Sequence, residues 1–488
     1  FSEAAEGFDL VISNPPWVRA HRWPARLRAL CARFEVCRAP AWPEAAALTG
    51  TPVGAGAQVD LSLLFVERAI RLLAPGGVLA VLLPAKAMRA LYGGAARRML
   101  LRDLQFALIE DHSLDHRSMF GADAFAAIFV ARKRGSDTRE GPADSGTVRV
   151  RQTRRGVPPL EYRVRQRDLP LFPGDSASPW VVAPPEVARA LRRMRAAGPP
   201  LGRLPALQVR RGVMTGANDI LVLADARPRL GGLCTIEASG RARIRRQSGG
   251  ARDAARYSAL VETRGIRPLV RGADIDAFAY RTERYVVWCH DRKGRPCAAP
   301  PRLQRYLDRH RARLEARTGW SPGSPLGTVF RLGPETLRDK VAWHDLADTL
   351  KAVALPATVP HDGRPAELVP LNTVYFIPTP DAMAARLLAG LFNSLPLRVA
   401  ARAVAERAKD GRFRFFAWTV STLPLPEDWS EHRAARVVLR TSRRAHEAGG
   451  IDGRDRTRLD RATAALFGLG AEDMEALARY DGWLRGAS

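Results

Sequence analysis

Asn14-Pro15-Pro16-Trp17 is the segment of this 488-residue sequence whose residue types and spacing best suit a chemical step. An exocyclic amine on an aromatic ring, such as N6 of adenine, is a poor nucleophile because its lone pair is delocalised into the ring. Two acceptors aimed at the two amine hydrogens draw the nitrogen towards a pyramidal geometry and free the lone pair for attack on a methyl donor. The Asn14 side-chain oxygen and the Pro15 carbonyl are such a pair. The consecutive prolines fix φ and stiffen the backbone, and Trp17 offers a flat face on which an extruded base can stack. The same residue types are common in turns, so the bare tetrapeptide reads more simply as a turn.

The surrounding elements shift the balance towards chemistry. Residues 8–12 (FDLVI) form an apolar run stopped by the prolines, which predicts a buried strand with the tetrapeptide at its carboxyl end. From Asp60 to Leu73, Leu61, Leu64, Phe65, Ala69 and Leu72 recur at helical spacing. Pro75-Gly76-Gly77 then breaks that helix before an apolar strand at 78–84. Two further apolar runs, 105–110 and 124–132, complete the alternation of a mostly parallel α/β sheet covered by helices, a partial Rossmann-like sheet. Ligands of such sheets sit beyond the strands' carboxyl ends.

From Gly135 to about Pro185 the chain turns polar, charged and proline-rich, which predicts a linker or a peripheral elaboration. Beyond it, strand-like runs at 219–223, 285–289 and 373–377 mix with helical ones at 302–316 and 381–408. The expected organisation is a catalytic-type α/β domain over 1–135, the linker over 136–190, an α+β domain over 191–430 and a small helical C-terminus over 431–488.

The formal charge is +27, and residues 1–135 hold 17 basic against 12 acidic side chains, which leaves most of the surplus to the remainder. A surplus of that size favours a polyanionic partner, because neutralised phosphates release counterions. No apolar run of eighteen residues suggests a membrane span, so no membrane partner is expected. The five cysteines (Cys31, Cys37, Cys234, Cys289, Cys297) include no CxxC pair and no even framework. Neither zinc nor disulfides are implied, and a reducing cytoplasm, bacterial or archaeal, is expected. The sequence opens on Phe1 and is expected to begin inside a longer protein.

Asn14 to Trp17, followed by DLSLLFVERAIRLLAPGGVLAVLLPAK at 60–86, resembles the adenine-N6 DNA methyltransferases of restriction-modification systems, in the Eco57I-like and TaqI-like, type IIG-like group. The resemblance implies methyl transfer from S-adenosyl-L-methionine to a flipped adenine in double-stranded DNA. It implies that Asn14, Pro15, Pro16 and Trp17 are catalytic, that Phe65 lies beside the cofactor, and that Phe120 in the segment 118–134 stacks on the target base with Trp17. Phe125 is the alternative to Phe120. Segments at 209–223, 267–278, 340–355, 371–377, 391–399 and 413–426 are similar to the recurring segments of the family's target-recognition domain. In or beside them, Arg210, Arg211, Thr215, Asn218, Arg271, Asn393, Arg412 and Arg414 are candidate DNA contacts, arginines to phosphate or guanine and asparagines to adenine.

The sequence departs from the family at one point. The glycine-rich loop and acidic strand ends that hold the cofactor lie upstream of the Asn-Pro-Pro segment in the family, and no rearranged equivalent follows it here. The chain by itself is therefore expected to be inactive unless another segment or a second subunit supplies that half, and a nuclease domain is possible outside it.

Rival readings are a methyltransferase acting on RNA or on a protein amide, and a non-catalytic DNA-specificity module. A nuclease built on Asp274, Asp276 and Asp291-Arg292-Lys293 reads more simply as a polar turn. His112 and His116, flanked by Asp111 and Asp115, read as a solvated loop. With no metal-ligand spacing elsewhere, His290 included, no metal is expected.

Overall fold

The computed structural model describes residues 7–49, 59–115, 125–135, 146–239, 258–291 and 293–486. Six strands form the first sheet: β1 (Phe8–Ser13), β2 (Leu73–Pro84), β3 (Leu104–Leu114), β4 (Ala126–Lys133), β5 (Thr147–Arg154) and β6 (Val157–Arg165). Their order is β1-β2-β4-β3-β5-β6. β1 pairs with β2 in parallel and β3 with β5 in parallel, whereas β4 lies antiparallel between β2 and β3, and β6 antiparallel on β5. The expectation of a mostly parallel sheet is thus corrected to a mixed one. An apolar run is the same in either direction, so periodicity does not report strand polarity.

Helix α1 (Leu61–Leu72) forms where its apolar spacing predicts. Asp60 caps it by accepting from the Ser62 amide at 3.1 Å, a contact worth about 1 kcal/mol. α1 and α2 (Gly94–Asp103) pack on each other and on β2 and β3. Pro75-Gly76-Gly77 belongs to β2 rather than preceding it, and produces a register shift against β1 between Phe8 and Leu10. Gly76 has φ 81°, and a Cβ on Gly77 would lie 2.7 Å from the Phe8 carbonyl oxygen. The two glycines therefore let β2 close alongside β1.

Within the stretch 136–190, β5 and β6 extend the first sheet. Gln166 accepts from the Phe106 amide and donates to the Leu104 carbonyl, both at 2.8 Å. Trp180, fully buried, packs edge-on to Phe106 at 5.5 Å between centroids.

Helix α3 (Pro185–Ala196) leads into the second half. Its strands include β7 (Arg210–Arg211), β8 (Val222–Arg229), β9 (Leu233–Ala238), β10 (Ser258–Glu262), β11 (Ile266–Val270), β12 (Arg284–Val287), β13 (Lys340–His344), β14 (Ala352–Leu355), β15 (Val369–Pro370), β16 (Val374–Pro378), β17 (Glu406–Arg407) and β18 (Phe413–Arg414). They build a sheet β10-β9-β8-β12-β11-β15, a sheet β14-β13-β16-β7, and a ribbon in which Leu346–Ala347 pairs with β18 and β18 with β17. The run at 219–223 is half helical turn, since Asn218–Leu221 coils before β8 begins.

Helices α4 (Ala382–Asn393) and α5 (Leu395–Val404) meet at 68°. Together with α6 (Arg433–Ala448), α7 (Gly453–Leu466) and α8 (Ala471–Arg485) they enclose the largest core, which includes Trp343, Phe392 and Leu459. No single helix among the described residues is long and apolar enough to cross a membrane.

One cysteine expectation is corrected. Cys31 and Cys37 form a disulfide, with Cα atoms 5.6 Å apart. Two short helices, Ala25–Cys31 and Glu35–Arg38, fold back across a tight turn and bring together residues whose sequence spacing carries no signature.

Candidate functional site

Parallel pairing with β2 aims β1 so that residues 14–18 leave its carboxyl end as irregular chain. Pro15 is buried, Asn14 and Pro16 are exposed, and Trp17 is half-buried. The exit of the tetrapeptide is stitched to the start of α1. Val18 accepts from the Leu61 amide at 2.9 Å and from the Trp23 indole at 2.8 Å, and the Ala20 amide donates to Val59 at 3.1 Å. Phe65 lies about one turn into α1 and is 47% exposed. β1 is the sheet's edge, and Phe8, Leu10 and Ile12, which share one face by strand alternation, are exposed at 40, 54 and 74%.

Beyond the carboxyl ends of β1 and β2 opens a cleft of about 1060 Å³ shared between the first sheet and the second half. Arg19, Lys86 and Tyr92 line it from one side, and Arg210, Arg211, Arg331, Tyr375, Glu406 and Arg414 from the other. The tetrapeptide is not among its lining residues; Arg19, two positions after Trp17, is the nearest in sequence. Six cations therefore face two carboxylates, Glu335 and Glu406.

Two of the arginines are pre-positioned. Arg211 donates to the Asn372 carbonyl at 2.7 Å and lies 5.4 Å from the Tyr375 ring centroid, and Arg414 lies 5.6 Å from that of Phe416. Lys86 Nζ stands 3.8 Å from Glu406. Burial lowers the Lys86 ammonium pKa, Glu406 opposes this, and Arg19 and Arg414 reinforce it. Burial raises the Glu406 carboxyl against the pull of Lys86, Arg414 and Arg19. Burial, with Glu406 and Asp60, also pushes the Tyr92 phenol up.

A buried ion pair underlies this wall. Arg89 donates to Asp111 at 2.8 Å, and both side chains are almost wholly buried. Arg407 lies close enough to act on Asp111, donates to the Arg402 carbonyl at 2.7 Å and stacks 4.5 Å from the Phe413 centroid. Arg407 follows Glu406 in β17, so consecutive residues face the buried pair and the cleft.

The other candidate DNA contacts scatter. Asn393 is buried, accepting from the Ala352 amide at 2.9 Å and donating to its carbonyl at 2.7 Å, so it ties α4 to β14 and has no edge left for a base. Thr215 is buried and bonded to Asn218 and the Ala217 amide, a local turn with no surface for DNA. These two expectations are corrected. Arg271 is held bidentately by Asp274, at 2.9 and 2.7 Å. Asn218 and Arg412 are exposed but lie outside the cleft. Phe120 falls outside the described residues, and Phe125 packs half-buried against the first sheet's core.

His112 is in β3 rather than a loop, 3.0 Å from Thr153 Oγ1 and 3.2 Å from Glu110, and His116 lies outside the described residues. Burial lowers His290 to about 4, and Asp291 accepts from the amides of Lys293 and Arg295 in the expected polar turn. Among the described residues no group of three His, Cys, Asp or Glu is placed to hold a metal. Sequence reasoning missed Arg19, Lys86, Tyr92, Arg331 and Glu406. For Arg19 and Lys86 a signal existed, since each follows closely on the carboxyl end of a predicted strand.

Residues 1–120 match the model of the Eco57I restriction-modification methylase family, in agreement with the resemblance carried by Asn14–Trp17 and 60–86. No curated protein sequence matches significantly. In fold the chain is similar to the Type IIL restriction-modification enzyme MmeI, solved in complex with DNA. The TM-score is 0.58 at 11% identity, over 98% of this chain and 57% of that one. The chain thus spans a little over half of that protein's length. Two further structures align more loosely. The type IIG restriction endonuclease BpuSI has TM-score 0.30 at 13% identity, over 98% of this chain and 55% of that one. A nuclease-deletion mutant of the Type ISP enzyme LlaGI has TM-score 0.42 at 10% identity, over 91% and 42%.

Proposed function

We propose that this chain carries the target-base half of a DNA methyltransferase of the restriction-modification type, acting on N6 of adenine, and grips double-stranded DNA in the basic cleft. The observation that carries the reading is the junction of the two features. A rigid Asn-Pro-Pro-Trp exit from β1 runs within two residues into a wall of a cleft lined by six cations.

In this reading Arg210, Arg211, Arg331 and Arg414 hold the duplex by its phosphates and position it, while an adenine leaves the stack towards the end of β1. Asn14 Oδ1 and the Pro15 carbonyl oxygen each accept one hydrogen bond from the amine, and Trp17 stacks on the ring. Pinning Val18 to Leu61 at the start of α1, and Ala20 to Val59 just before it, keeps these acceptors in place without reorganisation at the moment of reaction.

S-adenosyl-L-methionine, when bound, supplies the methyl group. The described residues do not by themselves make its site. Asp60, the acidic residue pinned beside the motif, is buried and spent on capping α1. Phe65 and the bare face of β1 suit contact with a further segment or polypeptide that completes the cofactor half. A second reading, a DNA-specificity module without catalysis, is favoured by the cleft's lining, which holds the cations and not the tetrapeptide.

The test is the genomic DNA of cells carrying the intact gene, wild type or Asn14→Ala. N6-methyladenine at one sequence context, lost in the variant, is expected. Methylation indifferent to the variant, or a different methylated product, overturns the reading. DNA binding with no methylation in wild type supports the module.

A further inference from the structure

We infer that the groove between α6 and α7 is a second nucleic-acid contact, a seat for a stretch of phosphate backbone separate from the central cleft. The two helices form a hairpin across Gly449–Asp452, closed by the pairing of Arg444 with Asp455 at 2.7 Å. Between them lies a groove of about 920 Å³, lined by Arg433, Arg454, Arg458 and Arg461 over a floor that includes Val437 and Ala462.

Residues 433–466 hold nine arginines against four acids. Arg443, Arg444 and Arg458 pair with Glu447 or Asp455, and Arg456 donates to the Asn393 carbonyl. Arg433, Arg454 and Arg461 are exposed and have no ion-pair partner among the described residues. Among the described residues no carboxylate lines the groove.

The spacing suits a repeating anion. Positions 454, 458 and 461 share one stripe of α7, and at 1.5 Å rise per residue they fall about 6 and 10 Å apart along its axis. Phosphates on one strand of a duplex advance about 3.4 Å each, so these intervals span roughly two and three steps. Arginine's planar fork suits phosphate oxygens, and a floor of small side chains admits a backbone closely. An acidic amphipathic helix would instead need deep pockets for large apolar anchors, and alanines offer none.

The inference rests on the proposed DNA-binding role, and its test separates the two. Binding of the whole chain to a 40-base-pair duplex of arbitrary sequence is followed against salt concentration. Arg433→Gln/Arg454→Gln/Arg461→Gln should make the slope of log affinity against log salt shallower by about 2.7, at about 0.9 per phosphate released. Ala465→Glu, a single exposed change on the same stripe, should weaken binding without disturbing packing. Arg443→Gln, outside the groove, should leave the slope unchanged. An unaltered slope in the triple variant and unaltered affinity in Ala465→Glu overturn the groove assignment while leaving the cleft standing. So does polyglutamate binding that the triple variant loses while its DNA slope stays at wild type. Arg210→Gln/Arg414→Gln tests the cleft alone; if that variant binds DNA as wild type does, the cleft reading fails and the groove becomes the main contact.

Discussion

Replacing Asp111 by Asn tests whether the buried ion pair holds the wall of the cleft. The substitution keeps shape and one acceptor oxygen but removes the charge facing Arg89 and Arg407. Among the described residues Arg89 has no hydrogen-bond partner for Nε or Nη1, so its guanidinium would be left buried and uncompensated. Breaking such a pair costs about 3–5 kcal/mol. A second route gives a similar size. Burial alone would raise the Asp111 carboxyl, but Arg89, Arg407 and hydrogen bonds from Ser113 and Arg89 outweigh it and hold it at about 2, against an ordinary 3.8. At 1.36 kcal/mol per unit that is about 2 kcal/mol of stability at neutral pH.

The sign follows from the depressed value. The contribution is full above pH 4 and fades as pH falls towards 2. At about 2–4 °C per kcal/mol for a unit of this size, Asp111→Asn should lower the first thermal transition by roughly 5–15 °C at pH 7, read by circular dichroism. The gap from wild type should narrow on acidification. Amide exchange over 85–92, the segment bearing Lys86 and Tyr92, should quicken in the variant. A transition within 1 °C of wild type at pH 7, or a gap that widens as pH falls, would refute the reasoning.

Four further outcomes are expected. Asn14→Ala in the complete enzyme should lower kcat by about 10²–10³ with DNA affinity unchanged, since a lost transition-state contact costs that much; a change in affinity alone counts against the proposed role. Arg210→Gln/Arg414→Gln should make the salt dependence of DNA binding shallower by about 2, measured by fluorescence anisotropy. Lys340, fully buried with no partner for Nζ, is lowered by burial to about 7, so the folded state binds fewer protons than the unfolded between pH 7 and 10.5 and stability rises with pH there. Lys340→Met should therefore raise the melting temperature most at pH 7 and below, with the gain gone above about pH 10. Without reductant, alkylation of the unfolded chain should leave Cys31 and Cys37 unmodified by mass spectrometry, while Cys234, Cys289 and Cys297 react.

What was legible in the sequence is what is local. The strand at Phe8–Ser13, its stop at the prolines and the helix from Leu61 each follow from contiguous residues, and so does a tetrapeptide with adjacent acceptors. The hairpin β5–β6 was legible in principle, because Val148, Val150 and Gln152 alternate inward with Arg149 and Arg151 outward, a strand period hidden by the charge on the outer face. The cleft was not legible. Arg271 and Arg211 look alike in sequence, yet one is locked to Asp274 and the other faces the cleft beside Tyr375. Asn393 and Asn218 differ likewise, one buried and spent on the Ala352 backbone, the other exposed, its side chain accepting from the Thr215 hydroxyl. Only tertiary pairing decides which polar group remains free for a ligand.

The two-residue strand β17 shows why that matters for function. Strand alternation sends Glu406 to the cleft beside Lys86 and Arg407 inward beside Asp111 and Arg89. Lys86 and Arg89 are likewise three apart on one short turn, at the end of β2. The two walls of the cleft are therefore joined by the Lys86–Glu406 pair above and, beneath, by Arg407 acting on Asp111, which is itself paired with Arg89. Loss of the buried pair at Asp111 should loosen both walls together, whereas Glu406→Gln should alter the cleft's charge and leave the melting temperature near wild type. The contrast between those two variants separates the cleft's support from its chemistry.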